Sequence, residues 1–103
     1  SIFVHPSIRE YIIAIANQTR RHPGIALGLS SRGSLGLMRA SQSLAAIYGR
    51  EYVIPEDIKQ LAVPVIAHRL IFSHSMSVSA NAAADIVLEL INSIPVPTEE
   101  WRK

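Results

Sequence analysis

Leu27–Gly28–Leu29–Ser30–Ser31–Arg32–Gly33–Ser34–Leu35–Gly36–Leu37–Met38–Arg39–Ala40–Ser41 is where the chain passes from a loop into an amphipathic run. Apolar spacing predicts a helix from about Ser31 to Tyr48, closed by Gly49 as a left-handed C-cap. Its expected core face is Leu37, Ala40, Ser41, Leu44 and Tyr48. Arg32, Gly36, Arg39 and Ser43 follow one another on the opposite face, so two arginines share a stripe with two small residues. That stripe is open enough for a ligand or another chain to approach. Gly33 and Gly36 each cost about 1 kcal/mol against alanine inside a helix. They read as a close approach, or equally as neutral drift.

Toward the N-terminus, His5–Pro6–Ser7 starts a first helix, with proline where its missing N–H costs nothing. Ile8, Tyr11, Ile12, Ile15 and Thr19 mark its buried stripe, and Pro23–Gly24 stops it near Arg21. Residues 22–31 form a loop with a brief extended piece at Ile25 to Leu27. Toward the C-terminus, Pro55–Glu56–Asp57 opens a third helix, its acids at the positive end of the dipole. Pro64 is expected to interrupt it and restart a short turn to about His68. Leu70–Ile71–Phe72 is predicted extended, and Ser73 to Ser79 a loop. A last helix over Asn81 to Ser93 buries Ile86, Val87, Leu90 and Ile94 before Pro95–Val96–Pro97 ends it. The expectation is an all-α fold of four to five helices with at most a short β pairing. Residues 1–97 form the domain and 98–103 a C-terminal tail.

At 103 residues the chain makes one domain. It has no cysteine, hence no disulfide and no thiolate metal site, which fits a cytoplasmic protein. The apolar fraction of 49% is high for so small a domain. No apolar run approaches the roughly 18 residues of a membrane span, and the N-terminus lacks the pattern of a signal peptide. The excess apolar content points to a buried contact with another domain or subunit. Net charge is +2 but uneven. Six arginines against Glu10 give residues 1–50 a charge of +5, while four cations against seven acids give residues 51–103 a charge of −3. Such polarity suits an anion at one end, or a solvated surface with chance clustering.

Several chemistries are excluded. A P-loop needs lysine after glycine, and neither Lys59 nor Lys103 follows one. Gly28–Leu29–Ser30–Ser31–Arg32 begins like a nucleophile elbow but lacks the closing glycine and a preceding buried strand. His5, His22, His68 and His74 show no metal-ligand spacing and are read as surface or capping histidines, so no metal site is expected. Glu99–Glu100 reads as a solvated pair.

An ordered set of segments resembles the C-terminal lid subdomain of MoxR-type AAA+ ATPases. It comprises Thr19–Arg20–Arg21–His22–Pro23, Leu27 to Leu35, Arg39–Ala40, Gly49 to Ile58, His68–Arg69–Leu70 and Pro95–Val96–Pro97. Each segment alone is weak; their order and gaps, over nearly the whole chain, are specific. The resemblance implies an AAA+ lid-type fold and gives Arg32 the role of the sensor-2 arginine, catalytic and nucleotide-binding in the full-length protein. Arg39, on the same face, is a second nucleotide-contact candidate or an ordinary surface arginine.

The resemblance further implies an ATPase as the parent protein, with ATP and Mg²⁺ as its cofactors and none for this domain alone, which is not expected to be an enzyme by itself. Implied partners are the protein's own nucleotide-binding domain and neighbouring ring subunits, usually in hexamers. The family's role is chaperone-like, often with von Willebrand factor A-type proteins, and no membrane is involved. Two departures stand out: Ser31 and Gly33 flank Arg32 where proline and alanine are usual, and Ile54 replaces the usual threonine N-cap. The alternative is a small helical protein- or nucleic-acid-interaction module using the arginine-rich face. The modest net charge and few aromatics argue against nucleic acid.

Overall fold

The computed structural model describes residues 2–23, 25–67, 71–72, 80–98 and 101. Helix α1 spans Pro6–Arg21 and strand β1 Ile25–Leu27; helix α2 runs over Ser31–Ile47 and α3 over Pro55–Leu61. A π-helical turn, Ala62–Ile66, continues α3, followed by strand β2, Ile71–Phe72, and helix α4, Ala80–Asn92. The all-α expectation holds; β1 and β2 pair antiparallel, Ile25 opposite Phe72 and Leu27 opposite Ile71, and among the described residues a single parallel bridge joins Phe3 to Tyr52.

α1 begins because His5 caps it: Nδ1 accepts the Ser7 amide at 3.0 Å, and Pro6 follows at the first position. Its predicted stripe is buried in full, Ile8, Tyr11, Ile12, Ile15 and Thr19 included. These residues meet Leu37 and Ala45 of α2, Ile58 of α3, Ala62 and Ile66 of the π turn, and Ile86, Val87, Leu90, Ile91 and Ile94 near α4. The N-terminal segment is sewn to the α2–α3 connection, with Phe3 N donating to Glu51 O at 2.8 Å and Val53 N to Phe3 O at 3.0 Å.

Two expectations need correction. Tyr48 is 56% exposed, and Ala40 and Leu44 are only half-buried; the buried line of α2 is Gly33, Leu37, Ser41 and Ala45. Tyr48 has left the helix as its C-cap, and its ring lies beneath the Arg50 guanidinium, 5.6 Å away. Gly49 does take the left-handed conformation, φ 78°. At Pro64 the helix is widened instead of being broken, because a π turn accommodates the proline ring and its missing donor. Trp101, within the stretch expected to be a tail, is partly buried against the core. His68, the serine-rich loop 73–79, His74 and Glu99–Glu100 lie outside the described residues.

α3 starts without a side-chain acceptor at Ile54. Asp57 compensates: its carboxylate accepts from the Ile54 amide at 2.9 Å and from both Arg50 Nη atoms at 2.6 and 2.8 Å. Arg50 also donates to Tyr52 O at 3.0 Å. Asp57 is 1% exposed, so this bidentate pair is internal to the fold. The hydrogen bond to Asp57 raises the Arg50 pKa above its usual value.

Candidate functional site

The candidate site lies where the loop after β1 enters α2. Ser30 is the N-cap: its Oγ accepts the Gly33 amide at 3.0 Å, and its carbonyl accepts from Ser34 N at 2.9 Å. Arg32 is thus the second helical residue, fully in the first turn, and its side chain is exposed. No acid shares that turn. A cation here faces the positive end of the helix dipole, an arrangement costing roughly 0.3–1 kcal/mol that natural helices avoid. Among the described residues Arg32 has no hydrogen-bond or ion-pair partner to offset it. A locally unfavourable, unpaired guanidinium beside free helix amides is an anion-seeking arrangement.

Arg39 is also exposed, two turns along the same face and roughly 10 Å further down the axis by helical rise. The two predicted arginines therefore share a stripe but not a single point. Beside them, Ile12 and Ile13 of α1 and Leu35 and Met38 of α2 line an open groove of about 320 Å³ with Arg9 and Ser34. Ile13 is 55% and Leu35 41% exposed, so this apolar surface is unpartnered among the described residues. Exposed apolar surface of this kind is where the expected contact would fall.

What the sequence reading missed is how the loop before Arg32 is held. The Leu29 amide donates to Thr19 Oγ1 at 2.8 Å, and Thr19 in turn donates to Ala16 O at 2.6 Å. The Leu29 carbonyl accepts from Arg20 Nη2 at 2.9 Å, while Arg20 Nη1 donates to Asn17 Oδ1 at 3.0 Å. Both polar groups of one peptide residue are therefore gripped by the end of α1. The pairing crosses ten residues without periodic signal, and only the adjacency of Thr19 and Arg20 to the helix end hinted at it.

A family model, the AAA lid domain, matches residues 17–90. The uncharacterised protein YeaC of Bacillus subtilis is 41% identical over 90% of this chain and 29% of its own length. The chaperone MoxR1 of Mycobacterium tuberculosis is 28% identical over 92% of this chain and 28% of its own length. A crystal structure of a candidate ATPase from Cytophaga hutchinsonii superposes with a TM-score of 0.81 at 24% identity, over 94% of this chain and 32% of that one. That last likeness speaks to the fold. The chain spans less than a third of the length of each of these proteins.

Proposed function

The chain belongs to the AAA lid domain family, and we propose that it is the lid of a MoxR-type ATPase in which Arg32 is the sensor-2 arginine. One observation carries the reading: an exposed guanidinium in the first turn of α2, without a partner among the described residues and set against the helix dipole. The donor set here, arginines and helix amides with no P-loop, can touch one edge of a nucleotide but cannot cradle its phosphates. ATP with Mg²⁺ would therefore be held by a nucleotide-binding domain elsewhere in the longer polypeptide or by an adjacent ring subunit. Arg32 would stabilise charge on the transferring phosphoryl group through its planar fork, and Arg39 is the second contact candidate.

On this reading residues 1–97 are the lid and 98–103 its tail, and the apolar groove beside α2 serves contact with the ATPase domain or a ring neighbour. The name of the chaperone MoxR1 supports a chaperone-like role; a hexameric ring, a cytoplasmic setting and von Willebrand factor A-type partners are part of the same proposal and rest on the family resemblance alone. The test compares two purified proteins. The 103-residue chain alone should be helical by circular dichroism and give no ATP turnover, while the longer polypeptide hydrolyses ATP. Turnover by the short chain that survives a second, unrelated purification would overturn the reading.

A further inference from the structure

We infer that Arg20 and Thr19 are positioning residues for Arg32, acting by clamping the peptide groups of Leu29 onto the end of α1; this rests on the sensor reading above. The geometry is a closed chain of contacts. Thr19 is 0% exposed and fixed by its own bond to Ala16 O, so its hydroxyl oxygen is a rigid acceptor for the Leu29 amide. Arg20 reaches from the same helix end to the Leu29 carbonyl and is steadied by Asn17. An arginine in a last helical turn commonly serves its own helix's free carbonyls. Here it instead serves a carbonyl nine residues on, one residue before the N-cap of the next helix.

Leu29 itself is 0% exposed, so the side chain anchors what the backbone bonds orient. Gly28 shows how closely the two segments lie. A Cβ there would stand 2.8 Å from Arg20 Cγ and 2.9 Å from both the Arg20 backbone nitrogen and Thr19 Oγ1. From Leu29 the chain has only Ser30, whose side chain caps α2, before the turn that carries Arg32. The entry point and direction of α2's first turn are thus set from α1. A catalytic group displaced by about 1 Å can lose up to about a hundredfold in rate, so a clamp so near Arg32 bears on turnover as well as on stability.

The experiment measures ATP turnover by the longer polypeptide across ATP concentrations, with thermal melting as the folding control. Arg32→Ala, Arg20→Ala, their double variant, Arg20→Lys, Thr19→Val and Thr19→Ser are compared with wild type. Arg20→Ala should lower kcat about tenfold, the scale of one lost charge-assisted bond expressed at the transition state. Arg20→Lys should recover part, since an ammonium can still donate to the Leu29 carbonyl but lacks the fork that also holds Asn17. Thr19→Ser should stay near wild type and Thr19→Val should not. If Thr19→Val fails to fold, the exposed Arg20 still decides the question. In the Arg32→Ala background, adding Arg20→Ala should change kcat less than about twofold, because the two act through one contact.

Full multiplicative losses in the double variant, or an unchanged Arg20→Ala enzyme beside a slowed Arg32→Ala, overturn the positioning role and leave the sensor reading standing. An unchanged Arg32→Ala enzyme overturns the sensor reading, and this inference with it.

Discussion

Tyr11 shows how one side chain links burial to pH. It is 3% exposed, and its hydroxyl, buried in the core, has no hydrogen-bond partner among the described residues. Burial raises its pKa above 10.0, and the charge of Glu56 adds to the effect. The unfolded chain therefore loses this proton first as pH rises. Stability should be flat up to about pH 9, then fall above about pH 10 until the folded-state value is passed. Tyr11→Phe should abolish that decline and be neutral or slightly stabilising at pH 7, since an unpaired buried hydroxyl costs about 1–3 kcal/mol. Urea denaturation midpoints at pH 7 and pH 10.5 check both. A Tyr11→Phe protein markedly less stable than wild type at pH 7 would mean the hydroxyl has a partner. That Tyr11 is buried was legible from its spacing after Ile8. That its oxygen is left unpaired was not, because it depends on what the opposing elements bring to that point.

At the scale of elements, helix starts were readable and their fastenings were not. Pro6, Gly49 and Pro55 punctuate the sequence by their own backbone restrictions, so the starts of α1 and α3 and the end of α2 fall within a residue of expectation. Glu56 and Asp57 looked alike as dipole-favourable acids, yet Asp57 is 1% exposed and Glu56 is at the surface. Only packing decides which carboxylate turns inward to Arg50 and the Ile54 amide. Asp57→Ala should therefore cost about 3 kcal/mol, the loss expected when a buried pair is broken, whereas Glu56→Ala should cost less than about 1 kcal/mol. Chemical denaturation of the two variants separates them. The loop between β1 and α2 repeats the lesson. Its glycine and serines mark it as a loop leading into a helix, but Thr19 and Arg20 meet Leu29 across a chain reversal that leaves no periodic trace.

For the whole molecule, the excess apolar content led to the expectation of a contact surface, and α1 and α2 leave an open apolar groove lined by Ile12, Ile13, Leu35 and Met38. Leu35 lies one turn beyond Arg32 on α2, and with Ile13 it leaves an apolar face in water. The isolated chain should consequently self-associate weakly at high concentration. Leu35→Glu should reduce that association in sedimentation without lowering the melting temperature, because the side chain is already 41% exposed.

Whether Arg32 serves an ATP site is decided by ATP turnover of the longer polypeptide, with circular dichroism as the folding control. Arg32→Ala should keep its helicity and slow hydrolysis by roughly one to two orders of magnitude, matching a charge-assisted phosphate contact of about 1.5–3 kcal/mol. Arg32→Lys should recover only part of the rate, and Arg39→Ala should lose less than Arg32→Ala. An Arg32→Ala protein that hydrolyses ATP like wild type, while Arg39→Ala does not, would take the role from Arg32 and move it two turns down the helix.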